Sequence, residues 1–253
     1  MNRFTINILI FILVSSLLSN CSTIKNLSKV KGNQKSITKL NLSYQHLKEI
    51  PKVVFEMENL KILNLNNNNI TEIPAEIGKL VNLEKLILSN NKINFVADEI
   101  GYLKKLKKLS LRTNKIDQLP SSIGDLENLE VIKLGYNQLV ELPDNICNLT
   151  KLTHLYVEYN QLEFLPREIG KLELTDLFIN QNQLKTLPKS FYELFTLIRL
   201  NISNAGIEIA LNDNFCTMRR IEELIIDYNT LTFSARCIDI RARSNPRFSI
   251  TLN

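Results

Sequence analysis

Residues 106–128 read LKKLSLRTNKIDQLPSSIGDLEN, and residues 129–151 read LEVIKLGYNQLVELPDNICNLTK. The second stretch restates the first at a fixed offset, pairing Leu109 with Ile132, Leu111 with Leu134, Asn114 with Asn137 and Pro120 with Pro143. The same pattern, LxxLxLxxNxLxxLPxxIGxLxxL, returns every 22 to 24 residues from Ile37 to about Leu231. A unit this short cannot bury its own leucines, so only stacking against a neighbour removes them from water. The pattern therefore predicts a solenoid whose function lies on its surface and not in a closed pocket.

Units begin at Ile37, Leu60, Leu83, Leu106, Leu129, Leu152, Leu174, Leu197 and Ile221; the sixth is one residue short and the eighth one residue long. The fourth and sixth positions of each unit are aliphatic, as in Leu86 and Leu88, which predicts a short strand with one buried face. Position nine is asparagine in seven of the nine units: Asn68, Asn91, Asn114, Asn137, Asn160, Asn182 and Asn229. An amide both donates and accepts, so stacked asparagines are expected to satisfy the backbone groups exposed where each strand ends. Six of the seven prolines share position fifteen: Pro51, Pro74, Pro120, Pro143, Pro166 and Pro188. Lacking an N–H, proline belongs in the return segment and not in the strand ladder. Ile77, Ile100, Ile123, Ile146 and Ile169, with leucines three residues later, form the apolar side of a short helical turn. Gly78, Gly101, Gly124 and Gly170 share position nineteen, which implies either close backbone packing or a positive φ. Cys147 occupies that slot in unit five and reads as a small buried thiol.

This pattern resembles the leucine-rich repeat family, and within it the 23-residue LPxxIGxL subclass found in bacterial proteins and in Ras-suppressor-like eukaryotic ones. The resemblance covers about residues 37–231 and implies an α/β horseshoe. It implies a concave parallel β-sheet, short helical turns or loops on the convex side, and proteins as ligands. The departures are Gln45 and Ala205 at the asparagine position, Ala97 at the proline position, and irregular end units, which must cap the core.

The N-terminus carries a second signal. Arg3 is the only charged residue of the first twenty, Ile6 to Leu18 is mostly apolar, and Leu18-Ser-Asn-Cys21 follows. The apolar run is short for a membrane span and has the proportions of a signal sequence. Its end resembles a relaxed bacterial lipobox, with Asn20 departing from the usual Gly or Ala. That resemblance implies removal of residues 1–20 and lipidation of Cys21, with palmitate among the acyl chains. Residues 21–36 then form a polar tether. The expected location is the bacterial cell envelope, anchored at the outer membrane or cell surface; a cytoplasmic protein is the alternative.

Cys216 and Cys237 lie 21 residues apart, near one repeat period, and an exported protein permits a disulfide between them. Spacing alone leaves the pairing open. Residues 232–253 read as a C-terminal cap, built either as a final strand pair or as a degenerate tenth unit. The formal charge of +5 is spread along the chain and does not argue for nucleic acid. The run Lys104, Lys105, Lys107 and Lys108 reads as a solvated edge.

Positions three, five, seven and eight of each unit are expected to face outward on the concave sheet. Units five to seven bring Tyr136, His154, Tyr156, Tyr159 and Phe178 together there, since adjacent strands lie about 4.8 Å apart. Lys85, Lys108, Arg112 and Lys133 form a neighbouring basic stripe. Rigid aromatics beside cations have the chemistry of a protein-binding hot spot; cross-strand aromatics that only stabilise the sheet are the alternative. His154 has no Cys or His partner in register, Glu158 and Asp176 lack a hydrolase-like set, and no P-loop, GxSxG, HExxH or CxxC pattern occurs. No cofactor or metal is expected. The sequence thus points to a monomeric, non-enzymatic, lipid-anchored module that binds a protein in adhesion or host interaction. A cytoplasmic signalling scaffold and an inhibitor of an enzyme remain as alternatives.

Overall fold

The computed structural model describes residues 36–206, 213–227, 238 and 245–252. The expected signal sequence, Cys21, most of the tether, Asn229 and Cys237 lie outside the described residues. Within them the chain winds as a solenoid. Its strands are β1 (Lys39–Asn41), β2 (Ile62–Asn64), β3 (Glu72–Ile73), β4 (Lys85–Ile87), β5 (Phe95–Val96) and β6 (Lys108–Ser110). They continue as β7 (Val131–Lys133), β8 (His154–Tyr156), β9 (Asp176–Phe178), β10 (Arg199–Asn201), β11 (Glu223–Ile226) and β12 (Ser249–Leu252). Ten of them, all but β3 and β5, form one sheet in chain order, and each pairs in parallel with the next. β12 runs parallel to β11 and adds a tenth strand to the sheet; the other half of the expected final strand pair lies mostly outside the described residues.

The expected periodicity appears as one continuous core. Leu86, Leu88, Leu109, Leu111, Ile132 and Leu134 project inward from successive strands and are buried, as are Ile77, Ile100, Ile123, Ile146 and Ile169 on the opposite wall. The helical turns are 3-10, typically five residues long, such as Ala75–Lys79 and Ser121–Asp125. Strands repeat every ~4.8 Å, whereas an α-helix with side chains needs about 10 Å. The tighter 3-10 turn therefore lets the convex side keep closer to the pitch of the sheet. Proline precedes these turns at extended ψ, as at Pro74 and Pro120. Position nineteen proves to be a packing constraint: among the described glycines only Gly206 has a positive φ, whereas a Cβ on Gly124 would lie 2.2 Å from the Asn145 carbonyl oxygen. Cys147 is buried, and burial pushes its thiol up to about 11, so it stays an inert thiol.

The asparagine column behaves as a ladder. Asn137 Nδ2 donates to the Leu111 and Leu134 carbonyls at 3.0 and 2.8 Å, and its Oδ1 accepts from Ile116 N at 3.1 Å. Asn91, Asn114, Asn160 and Asn182 repeat these bonds one coil at a time. Asn68 begins the column, accepting from Gln45 N and Leu47 N.

Both interior departures from the pattern have local causes. Ala205 has no amide, so Leu184 N donates to the Ala205 carbonyl at 2.7 Å instead. The following Gly206 takes φ 86, against the Gln183 backbone, where a Cβ would not fit. At the proline slot, Ala97 N donates to the Ile73 carbonyl at 3.0 Å, a bond proline cannot make. That bond extends the two-stranded sheet of β3 and β5 on the return side. Cys216 is disulfide-bonded, although its expected partner Cys237 is outside the described residues. Among the described residues no helix is long and apolar enough to cross a membrane.

Candidate protein-binding site on the concave face

Parallel pairing in register sets equivalent positions of successive units side by side. Position five therefore reads Lys133, Tyr156, Phe178 across β7, β8 and β9, and position three reads His154, Asp176, Arg199 across β8, β9 and β10. Position eight follows the strand and, unlike positions three and five, is a left-handed turn. Tyr44, Asn67, Asn90, Thr113, Tyr136, Tyr159, Gln181 and Asn204 all have φ between 49° and 59°. Asparagine adopts that conformation readily, whereas tyrosine and β-branched threonine are disfavoured in it. The sequence pattern gave no sign of this constraint.

Two parallel rows result, each a cation followed by two rings. In the first, the Arg112 guanidinium lies 4.4 Å from the Tyr136 ring centre, and Tyr136 stacks on Tyr159 at 4.2 Å with the planes 12° apart. The adjoining Tyr136 phenol raises the Tyr159 pKa. Tyr136 and Tyr159 remain 39% and 42% exposed, so a sizeable part of a stacked aromatic surface is offered to solvent. In the second row, Lys133 Nζ lies 5.3 Å from the Tyr156 ring centre and Tyr156 meets Phe178 edge-on at 5.1 Å. The expected aromatic cluster thus forms as two lines and not as one sheet.

Beneath the second row lies a buried carboxylate with three side-chain partners. Asp176 is 2% exposed, although position three was expected to face outward. It is bound bidentately by Arg199 through Nε and a guanidinium amine, accepts the Tyr156 hydroxyl at 2.9 Å, and lies 3.2 Å from His154 Nε2. His154 is consequently no lone surface histidine, for its Nδ1 also meets Thr153 Oγ1 at 2.7 Å. Burial works to raise the Asp176 carboxyl, but hydrogen bonds from Arg199 and Tyr156 and the nearby positive charge outweigh it and hold the pKa below 3.8. Burial and the bond to Asp176 push the Tyr156 phenol up to about 12, so it remains a donor at neutral pH. Asn180, Asn201 and Ser203 are also buried against expectation. Asn201 Oδ1 turns back to accept from Ser203 N and Oγ, which closes this stretch of the face.

Arg112 is also engaged. It reaches over unit five to Glu158 Oε1 at 3.3 Å, passing Gly135. A Cβ on Gly135 would lie 2.3 Å from that same carboxylate oxygen, so glycine here makes room for the ion pair. Arg112 therefore leaves the expected basic stripe, and Lys85, Lys108 and Lys133 remain. Glu158 Oε2 and Asn180 Oδ1, neighbours in position seven, are buried oxygens that receive no hydrogen bond within the described residues. Among the described residues no group of His, Cys, Asp and Glu could hold a metal ion.

A ten-stranded parallel solenoid with a ladder of asparagines and an open aromatic face defines a repeat protein of the binding type. Residues 35–93 match the family described as leucine rich repeat, and residues 90–164 the family described as leucine-rich repeat region. The chain belongs to the leucine-rich repeat family, whose domains commonly mediate protein binding. Among solved structures it is similar to a leucine-rich repeat protein of Leptospira interrogans (25% identity, TM-score 0.51, 90% of this chain and 75% of that one). It is also similar to the ectodomain of the Arabidopsis thaliana membrane receptor kinase GASSHO1/SCHENGEN3, solved with Casparian strip integrity factor 2 (28% identity, TM-score 0.65, 79% of this chain). A third likeness is to the plant peptide hormone receptor RGFR1 in complex with RGF2 (25% identity, TM-score 0.59, 70% of this chain). The chain spans only 26% and 34% of these two receptor chains. No curated protein matches it in sequence.

Proposed function

We propose that this protein is a non-enzymatic recognition module that binds a partner protein through its concave face, exported and held to the cell envelope by lipid on Cys21. Adhesion or host contact is the use that best fits such a display. The observation that carries the reading is the Tyr136–Tyr159 stack. Two large aromatics occupy a left-handed turn position that asparagine fills at lower cost in units two, three and eight, and they stay open to solvent. Rigid rings of this kind lose little entropy on binding and form interface hot spots. The plant receptors of similar fold were solved with partners bound, which supports the general mode.

The disulfide at Cys216 supports export over the cytoplasmic alternative, because such bonds persist in oxidising compartments. Binding is tested by cross-linking the purified chain to host-surface and envelope extracts beside Tyr136→Ala/Tyr159→Ala. A band retained by the variant removes the case for this face. Anchoring is tested by growth with radioactive palmitate. Equal label on the native protein and on Cys21→Ala removes the case for the lipid.

A further inference from the structure

Across the concave face, charge is distributed unevenly. In units one to five, positions three, five, seven and eight carry Lys39, Lys85, Lys108, Arg112 and Lys133 and no Asp or Glu. The acids of these positions, Glu158, Asp176, Glu223 and Asp227, all fall in units six to nine. Glu158 and Asp176 are already neutralised by Arg112 and Arg199. Lys85 and Lys108 are paired in register on β4 and β6, and Lys133 lies one strand further on, beside Ser110. Among the described residues none of these three lysines makes an ion pair, so their charge is available to a ligand. Like charges directly opposite across a sheet oppose its formation. Apart from the contact of Lys133 with the Tyr156 ring, the fold gains nothing from this arrangement, while an anionic ligand gains a site with its counter-charges in place.

Resting on the proposed protein-binding role of this face, we infer that the partner presents an extended acidic segment with an adjoining apolar anchor, laid across the strands. Its carboxylates sit over Lys85, Lys108 and Lys133, and its anchor sits against the Tyr136–Tyr159 and Tyr156–Phe178 rows. Lys133 joins the two halves, since it lies both in the lysine group and over the Tyr156 ring. From unit three to unit seven is four strand spacings, about 19 Å, which is roughly six residues of extended chain at ~3.3 Å each. The segment is therefore short, with two or three Asp or Glu next to one aromatic or large aliphatic residue. A nucleic-acid backbone fits less well. Its charge continues at every nucleotide, and beyond Lys133 the face offers rings and carboxylates that are already paired.

The test is fluorescence anisotropy on the full chain with a labelled hexapeptide of three glutamates, glycine, phenylalanine and leucine, made in both chain directions. At least one direction is expected to bind, and raising the salt weakens it. Replacing its glutamates by lysines weakens binding at least about tenfold, because like charges brought together at an interface cost more than that factor requires. Lys85→Glu/Lys108→Glu is expected to reverse the preference between the two peptides, and Lys85→Gln/Lys108→Gln to erase it, with unchanged circular dichroism. The inference is overturned if neither direction binds, if the lysine peptide binds equally well, or if the reversal leaves the preference intact. It is overturned too if single-stranded oligothymidylate or phosphatidylglycerol vesicles of matched charge compete as tightly, since the face then reads anions of another class. Should the partner cross-link survive Lys85→Glu/Lys108→Glu yet be lost in Tyr136→Ala/Tyr159→Ala, this inference fails while the protein-binding reading stands.

Discussion

Single side chains carry opposite duties at neighbouring positions of one repeat. Asn137 holds three backbone groups from two coils, so Asn137→Ala should cost about 1–3 kcal/mol, the penalty for buried polar groups left without partners. Urea unfolding monitored by circular dichroism measures it, and a smaller loss would mean that water replaces the amide. One residue earlier the logic is reversed. Thr113 sits in the same left-handed turn that asparagine takes in unit three, and its β-branch is unfavourable there. Thr113→Asn is expected to stabilise the chain by about 1 kcal/mol, read as a shift of the same urea midpoint. Tyr159→Asn should leave stability equal or higher while abolishing partner capture. A destabilised Tyr159→Asn would show that the stack belongs to the fold. The asparagine column was legible in the sequence because its chemistry is one-dimensional: the same residue returns at the same offset. The φ of its neighbour was not, since Tyr, Thr, Gln and Asn share no property that marks a turn until the backbone is seen.

At the level of the element, strand pairing decides which charges meet. The order His154, Asp176, Arg199 was readable once position three was written as a row, as the row alternates between groups that can pair. Its burial was not readable, because period-two alternation assigns position three to solvent, and here Arg199 and Tyr156 fold over the carboxylate. The consequence is a pH dependence with a defined sign. A carboxyl whose folded pKa lies below its unfolded value contributes stability fully above about 3.8, and loses it as pH falls through the lower folded value. The fall in urea midpoint from pH 6 to pH 3 and below should therefore be smaller in Asp176→Asn than in the native chain. An identical acid loss in both would place the acid-labile carboxyls elsewhere. The return segments obey a different rule. Proline at Ala97 would restore the pattern of six other units and yet remove the N–H that bonds Ile73. Ala97→Pro is expected to destabilise, by about the 0.5–1.5 kcal/mol of one hydrogen bond or more, despite lowering the entropy of the unfolded chain.

For the whole molecule, stability is a sum over coils and the interfaces between them. Leu111, buried between units three and five, should lose about 2–5 kcal/mol on truncation to alanine, as befits a core position in the middle of the stack. The horseshoe was legible from period and residue type alone, because a 23-residue unit has no other way to hide its leucines. The site was legible in part. Register brought the named aromatics together, but the two-row arrangement and the withdrawal of Arg112 from the lysines depend on one glycine. That glycine also limits how the array can change in length. Arg112 spans unit five to reach Glu158, so a duplicated fifth coil would carry the two ends a further ~4.8 Å apart and leave both charges stranded. Tandem repeats commonly grow and shrink by recombination between their copies. In this chain such changes in copy number are tolerable toward the ends and damaging between units four and six.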